Sequence, residues 1–386
     1  MTQELFNTID ALYPEFLGFW EDVCNIESPT LFKEGVDAVG NYFADFARAH
    51  GWSVERFPHH LVGDVVSVTM NRDAKKKPIT LSGHMDTVHP LGSFGTPPVR
   101  VEGDRILGPG VLDCKGGIVA AALAMAALER IGFTERPVRL LLQSDEEGGS
   151  NMSNKATIGY MCERSADSAA FINLEGHTAN KICVQRKGII TFTFKVYGKE
   201  AHSSLCATRG ANAIAEAAHK IIELEKIKDD DGLTCNCGVI SGGSVPNTVA
   251  GYCEFKANVR FATEEQLAFI TEHVQKVAQT THVEGCTCEV SRSGFRVAMY
   301  RREKNLDLAD KINRIMEKAG LPTLEPMAAK GGSDAADVTV YGKVPCVDNM
   351  GTEGGFIHSP DEFAYLDSLR SSAKRLGAIA LLFEED

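Results

Sequence analysis

The sequence lacks the features that mark membrane, exported and nucleic-acid-binding proteins. No apolar run approaches the roughly 20 residues that a membrane-spanning helix needs. The N-terminal stretch Met1–Phe6 has neither the basic start nor the apolar core of a signal peptide. Basic residues number 40 against 52 acidic ones, which leaves no basic surface for nucleic acid. We therefore expect a cytoplasmic protein with no nucleic-acid and no membrane partner.

The spacing of a structural zinc site is also missing, although cysteine is plentiful. Cys235/Cys237 and Cys286/Cys288 are pairs with one intervening residue, whereas structural zinc sites use two or more and add a nearby partner. Most of the 11 cysteines lie inside apolar segments. This pattern favours a reduced protein with buried thiols.

Length and periodicity predict two domains. A chain of 386 residues exceeds one ordinary core. A strand, an Ala-rich helix from Lys115 and the strand Pro137–Gln143 form a βαβ unit, which is typical of a mostly parallel sheet. Gly188–Tyr197 then alternates apolar and polar residues, and a β-α-β-β-α-β order follows, as in ferredoxin-like domains.

We therefore predict an α/β fold: a mixed, mostly parallel sheet with helices on both faces, carrying an inserted ferredoxin-like α+β domain. Residues 1–187 and 295–386 are assigned to the larger domain, and residues 188–294 to the insert.

His84 and Asp86 stand at the end of an apolar strand. Residues two apart in a strand point to the same side, so both side chains face a common point. A His beside a carboxylate suits a metal ligand with a supporting acid, and it suits a general base with an orienting acid. Both interpretations remain open from these two residues alone.

Further ligand-type residues follow at predicted strand ends and loops: Asp113, Glu146, Glu147, Glu175 and His358. In open α/β sheets, ligands collect beyond the carboxyl ends of the strands. Imidazoles and carboxylates without thiolates suit zinc in a hydrolytic site, or cobalt or manganese. The adjacent pair Glu146-Glu147 is informative because one carboxylate can bind metal while its neighbour transfers a proton.

This ordered set resembles the di-zinc metallohydrolase family of aminoacylases, glutamate carboxypeptidases and succinyl-diaminopimelate desuccinylase, and its carboxypeptidase G-like branch most of all. The matching features are His-x-Asp at 84–86, Gly-x-x-Asp-x-Lys-Gly-Gly at 110–117, Glu-Glu at 146–147, the lone Glu175, and His-Ser at 358–359, together with segments 243–249 and 331–336. The resemblance covers nearly the whole chain, from about residue 15 onward.

The resemblance implies two Zn²⁺ ions per subunit, bridged by Asp113, with Co²⁺ or Mn²⁺ as alternatives. His84 and Glu175 complete one metal site, and Glu147 and His358 the other. Asp86 supports the His84 ring. Glu146 is the general base that activates a hydroxide shared by the metals, and afterwards the acid that protonates the leaving amine. The family also implies a cis peptide bond at Asp113–Cys114.

The insert is implied to act as a lid and as the surface of a homodimer. By the same resemblance, His202 in Ala201-His202-Ser203 is expected to be the catalytic residue that steadies an oxyanion in the partner subunit's site. Arg260 grips a substrate carboxylate, and Asn247, Gly332 and Ser333 add hydrogen bonds to substrate. Gly188–Tyr197 is expected to be an exposed edge strand of the insert, and hinges are expected near 186–188 and 293–294.

The predicted function is that of a metal-dependent hydrolase, a metallopeptidase of the carboxypeptidase type. It cleaves an amide or peptide bond of a small peptide or an N-acyl amino acid, as a glutamate carboxypeptidase does. A deacylase, desuccinylase or dipeptidase of the same family is the alternative, and a non-catalytic binding relative is a third. The other histidines, His89 among them, match no motif and are assigned no role.

Overall fold

The computed structural model describes residues 1–177, 180–230 and 232–385. The helices are α1 (Thr2–Asn25), α2 (Lys33–Ala49), α3 (Lys115–Arg130), α4 (Ala156–Ser165), α5 (Ala213–Glu225), α6 (Glu264–Gln279), α7 (Glu303–Ala319), α8 (Asp334–Asp337) and α9 (Leu366–Leu382). A 3-10 turn covers Ser203–Leu205 and a π-helical turn covers Val338–Gly342. Among the described residues, no helix combines the length and the apolar character that crossing a membrane requires.

The strands, in chain order, are β1 (Ser53–Phe57), β2 (Val65–Met70), β3 (Ile79–His84), β4 (Arg100–Glu102), β5 (Arg105–Leu107), β6 (Val138–Gln143), β7 (Ala170–Asn173), β8 (Lys181–Arg186), β9 (Gly188–Tyr197), β10 (Thr234–Gly242), β11 (Tyr252–Phe261), β12 (Thr287–Arg296), β13 (Glu325–Ala329), β14 (Cys346–Val347), β15 (Gly354–Gly355) and β16 (Phe363–Tyr365).

By internal contacts the chain divides into two units. The first comprises Met1–Val184, Arg301–Ala328 and Ser333–Asp386, and the second comprises Gln185–Tyr300 and Ala329–Gly332. The boundaries predicted from sequence, at residues 188 and 294, lie inside the second unit. The functions predicted for the two parts stay predictions.

The first unit is built on a six-stranded sheet in the order β1-β2-β6-β3-β7-β14. Strands β6, β3, β7 and β14 run parallel to one another, while β2 is antiparallel to β6 and β1 to β2. Leu81 in β3 lies opposite Leu140 on one side and Ile172 on the other. Such apolar strands are typical of a parallel sheet that is buried on both faces. The mostly parallel sheet expected from the βαβ unit is confirmed.

Helix α3 crosses the interior of this unit. Its residues from Lys115 to Leu128 are all buried, because the helix packs against β3 and β6 and also against α1 and α9. The helix starts with two glycines that have no room for a side chain. A Cβ on Gly116 would lie 2.2 Å from the carbonyl oxygen of Val111, and one on Gly117 would lie 2.3 Å from that of Leu174.

The second unit contains a four-stranded antiparallel sheet in the order β10-β11-β9-β12. Helix α5 follows β9 and packs on β10 and β11, and α6 follows β11 and packs on β12. This strand order is that of a ferredoxin-like domain, as the sequence of elements predicts.

One expectation about this sheet is wrong: β9 is not an edge strand. It pairs along its whole length with β11, and with β12 on its other side, so that β10 and β12 form the edges. Alternation of apolar and polar residues indicates that the two faces of a sheet differ. It carries no information about whether the backbone on either side of the strand is paired.

Ser293 and Gly294, near which a hinge is expected, both lie within β12, and the hinge itself stays a prediction. The register against β9 shifts between Arg292 and Gly294. A glycine within a strand often marks such a β-bulge. The chain therefore continues in the sheet to Arg296.

The burial of α3 gives a stability prediction. Leu123 is fully buried in α3, whereas Leu31 is 70% exposed in the same unit. Leu123→Ala removes apolar contacts and leaves a cavity, and should lower the free energy of unfolding by about 2–5 kcal/mol. Leu31→Ala should change it by less than about 0.5 kcal/mol. Urea denaturation followed by circular dichroism measures both, and equal effects would show that α3 is not packed as described.

Candidate metal centre

Three neighbouring parallel strands deliver candidate ligands to one edge of the large sheet. Strand β3 ends at His84, and β6 and β7 are followed by Glu146-Glu147 and by Glu175. Since β6, β3 and β7 are adjacent and parallel, their carboxyl ends meet at the same edge. Ligand sites of open α/β sheets form at this edge.

Two loops complete the group. Asp113 ends the loop that leads into α3, and His358 lies between β15 and β16. Asp113 Oδ1 is 3.1 Å from His84 Nε2, and its Oδ2 is 3.1 Å from His358 Nε2. His358 Nε2 is also 3.2 Å from Glu147 Oε2, while His84 Nε2 is 3.8 Å from Glu175 Oε1. Each oxygen of Asp113 therefore faces a different imidazole.

Glu146 lies beside this group. Its carboxylate, His84 and Glu175 each offer a ligand atom within 4.8 Å of the others, as do His84, Asp113 and Glu147. The structure thus brings together all five predicted metal ligands and the predicted base.

Burial and mutual contact shift the pKa values in this group. Burial would raise the pKa of Asp113, but hydrogen bonds from His358 and His84 hold it below its ordinary value. Hydrogen bonds to Asp113 and Glu147 raise the pKa of His358 to about 10. Burial, followed by the charges of Asp113 and Glu146, raises the pKa of Glu147 to about 7, although a hydrogen bond from His358 opposes this.

The donor set fits metal ions. It offers imidazole nitrogens and carboxylate oxygens, with Asp113 able to donate one oxygen to each of two positions. The raised pKa of Glu147 reflects carboxylates gathered in a buried place, where a divalent cation would stabilise their charged forms. The chemistry of zinc, cobalt and manganese matches these ligand types.

Asp86 contacts the backbone of the site more closely than it contacts the His84 ring. His84 Nδ1 is 2.9 Å from the backbone carbonyl oxygen of Asp86 and 3.5 Å from its carboxylate. The fully buried carboxylate instead accepts the backbone N–H groups of Glu146 and Glu147, at 3.1 and 3.2 Å, and the hydroxyl of Thr30 at 2.8 Å. Asp86 therefore fixes the turn that presents the glutamate pair.

The peptide bond between Asp113 and Cys114 is cis, as predicted from the family resemblance. Cys114 is buried, and its Sγ accepts the backbone N–H of His84 at 3.0 Å.

Four of the remaining predicted site residues lie in the second unit. His202 is exposed and bonds the Ser204 hydroxyl through Nδ1 at 2.8 Å. Asn247 is exposed and its carbonyl oxygen accepts the backbone N–H of Ser203. Gly332 is also in this unit.

Arg260, the fourth, is partly buried in β11, and this burial lowers the pKa of its guanidinium. Among the described residues, the guanidinium has no carboxylate or other hydrogen-bonding partner.

Ser333 lies in the first unit and is fully buried. Its hydroxyl donates to Asp348 Oδ2 at 2.5 Å. The hydroxyl proton is therefore already used inside the protein, which argues against the substrate contact expected of this side chain.

Two residues with no predicted role lie next to the centre. His89 Nε2 is 2.7 Å from Glu362 Oε2, and both side chains are buried. In the sequence, the one sign of a role for Glu362 is its position four residues after His358 and just before an apolar strand. Nothing in the sequence links it to His89, which lies 273 residues away.

A cluster of imidazoles and carboxylates at the carboxyl edge of a mostly parallel sheet is the arrangement of a metal-dependent hydrolase. The model of peptidase family M20/M25/M40 matches residues 80–382. The chain therefore belongs to this family and is an enzyme of the metallopeptidase class, which confirms the predicted resemblance.

Individual relatives agree with the family. Carboxypeptidase G2 of Pseudomonas sp. (strain RS-16) is 28% identical over 371 residues, covering 94% of this chain and 87% of the relative. Succinyl-diaminopimelate desuccinylase of Gluconobacter oxydans is 24% identical, and the match covers 75% of this chain and 77% of the relative. The solved structure of Bacillus subtilis YxeP, titled a dinuclear metal-binding peptidase of the M20 family, has a TM-score of 0.70 at 16% identity, covering 96% and 99%.

The contacts of Asp86 give a prediction for the metal-free protein. An amide at this position keeps one acceptor oxygen but turns an NH₂ group toward a backbone N–H. Asp86→Asn should therefore lower the free energy of unfolding by about 1–3 kcal/mol. Thr30→Val removes only the hydrogen bond from the Thr30 hydroxyl to Asp86, and should lower the free energy of unfolding by about 0.5–1.5 kcal/mol. Thermal unfolding with chelator present measures both. An Asp86→Asn protein as stable as the wild type would contradict the role of this carboxylate in holding the turn.

Proposed function

We propose that this enzyme is a di-zinc carboxypeptidase that removes a C-terminal residue, glutamate or one like it, from a small peptide or N-acyl amino acid. The observation that carries the proposal is the position of Asp113, whose two carboxylate oxygens face different imidazoles, 3.1 Å away in both cases. A carboxylate in this position suits two metal ions that share one bridging ligand.

Asp113 would bridge the ions, His84 and Glu175 would complete one site, and Glu147 and His358 the other. Bound zinc ions would polarise the scissile carbonyl and lower the pKa of water at the site. Cobalt or manganese could supply the same chemistry.

Glu146 would carry the proton. Its backbone N–H is fixed by Asp86, and its carboxylate lies close to His84 and Glu175, while the next residue, Glu147, contacts His358. We assign Glu147 to the metals and Glu146 to a water molecule beside them. Glu146 would accept the water proton and then donate it to the leaving amine.

Arg260 would bind the C-terminal carboxylate of the substrate. The guanidinium is partly buried and, among the described residues, has no carboxylate partner, so it is available to a carboxylate of the substrate. The planar fork of arginine suits bidentate binding of a carboxylate. Asn247 and Gly332 would add hydrogen bonds to the same end, and His202, presented by the partner subunit, would stabilise the oxyanion.

A deacylase or desuccinylase is the second candidate, supported by the match to succinyl-diaminopimelate desuccinylase. The same metals and base would serve both reactions, and the difference lies in the acyl group that the substrate carries. We also propose that the enzyme works in the cytoplasm, which its free and mostly buried cysteines support.

The test of the chemistry is a substrate panel with zinc, cobalt and manganese supplied separately. The wild type should cleave N-acyl-glutamate and dipeptides with C-terminal glutamate, and should lose activity to a chelator. Glu146→Gln should still bind two ions per chain but lose about 10²–10⁴-fold or more in kcat, because the proton carrier is gone.

Asp64→Asn is a matched control, since it removes a carboxylate of the same unit that contacts Lys33 instead of the metal centre. It should keep full activity. Cleavage of aminopeptidase substrates alone would overturn the carboxypeptidase assignment, and an active Glu146→Gln enzyme would overturn the role of Glu146.

We further propose a homodimer formed through the second unit, with β10 of two subunits side by side. Edge strand β10 exposes Val239 and Ile240, at 58% and 52%, and the neighbouring helix α5 exposes Ile214 and Ile222, at 40% and 57%. An unpaired apolar edge of this kind is a template for strand pairing across a two-fold axis.

Light scattering should therefore give twice the chain mass of 41.8 kDa. Val239→Lys with Ile222→Lys places charge on the edge and on the helix, and should produce monomers. Phe269→Lys is the control, because this residue is 50% exposed on α6, which packs on the opposite edge strand β12. A monomeric wild type would refute the dimer and leave His202 without a partner site.

A further inference from the structure

The loop that carries Asp113 is held by one buried side chain outside the predicted ligand set. Oε1 of Glu362 accepts the backbone N–H groups of Leu112 and Asp113 at 2.9 and 3.0 Å, and Oε2 accepts that of Gly110 at 3.4 Å. The backbone carbonyl of Glu362 accepts the N–H of Gly108 at 3.3 Å. Glu362 therefore accepts backbone N–H groups from four of the six residues of the loop 108–113.

A histidine holds this glutamate in turn. His89 Nε2 is 2.7 Å from Oε2 of Glu362, whose side chain is fully buried, while that of His89 is 7% exposed. His89 follows His84 by five residues, and Glu362 follows His358 by four. The pair thus connects the three segments that carry His84, Asp113 and His358.

Burial of this carboxylate needs a reason. A carboxylate removed from water costs free energy unless hydrogen bonds or charges compensate it, and an apolar side chain would often pack as well. The carboxylate oxygens of Glu362 accept hydrogen bonds from backbone N–H groups, one of which belongs to Asp113 itself. Hydrogen bonds that set the orientation of a metal ligand are worth about 10- to 100-fold in metal affinity.

We propose that Glu362, held by His89, is the positioning residue that orients the Asp113 carboxylate between His84 and His358. A small rotation of Asp113 would lengthen one of its two 3.1 Å contacts while shortening the other. The inference rests on the proposed function, because it assumes that Asp113 binds two ions.

The experiment measures metal binding on the full-length protein, with Co²⁺ as the probe. Glu362→Gln keeps the volume and one acceptor oxygen, but it turns an amide toward Gly110 and His89. We expect the affinity for at least one of two Co²⁺ ions, measured by chelator competition, to fall about 10- to 100-fold. The absorption spectrum of the cobalt-loaded protein should change with it, and kcat should fall more than KM rises.

The matched control is Glu216→Gln in the second unit. Glu216 is also a buried glutamate, and it also accepts two backbone N–H groups, those of His282 and Val283, while pairing with Lys220. This variant should lose comparable thermal stability but keep the cobalt affinity and spectrum of the wild type. Stability loss alone is thereby separated from positioning.

A second pair of variants keeps the test decisive if Glu362→Gln does not fold. His89→Leu removes the donor to Glu362, whereas His89→Gln retains an N–H at similar reach. The leucine variant should weaken cobalt binding and the glutamine variant should restore most of it.

Wild-type affinity and spectrum in both Glu362→Gln and His89→Leu would overturn the inference and leave the proposed function intact. A wild type that binds fewer than two Co²⁺ ions would overturn the proposed function, and the inference with it.

Discussion

The candidate metal centre of the first unit is arranged around one carboxylate between two imidazoles. Asp113 lies 3.1 Å from both His84 and His358, and only 9% of its side chain is exposed. The Asp113 carboxylate is largely removed from water, so its charge needs compensation from neighbouring groups, and the two imidazoles provide it. The parallel strands β3, β6 and β7 end at the same edge, where His84 and Glu147 each place a ligand atom within 4.8 Å of one on Asp113.

Two further buried carboxylates organise the backbone around this centre. Asp86 accepts the N–H groups of the Glu146-Glu147 turn, and Glu362 accepts those of the Asp113 loop. Neither acid is needed as a ligand to have this effect. The geometry of the centre therefore rests on hydrogen bonds to main-chain groups as well as on the side chains that face the metal positions.

Much of this could be predicted from the sequence, since local patterns carry it. Apolar strands that end at His84 and shortly before Glu146-Glu147 place these residues at strand ends. The βαβ unit around α3 makes the strands parallel, so their ends converge. Contacts between distant segments leave no such pattern. The pairing of His89 with Glu362 spans 273 residues. The central position of β9 arises because β11 and β12, both far along the chain, pair with its two sides. The bulge at Gly294 likewise depends on the register with β9.

The glycine pair at the start of α3 has a consequence for comparing sequences of this kind. A side chain on Gly116 or Gly117 would collide with the carbonyl oxygen of Val111 or Leu174, residues that stand close to Asp113 and Glu175 in the chain. The missing side chains let the segments before these two acids approach the same helix turn. Because neither glycine has a side chain, the small size of this pair sets the distance between Asp113 and Glu175. A relative that retains both acids but carries a larger residue at 117 would have a different gap, so ligand identity alone would overstate how alike the two centres are.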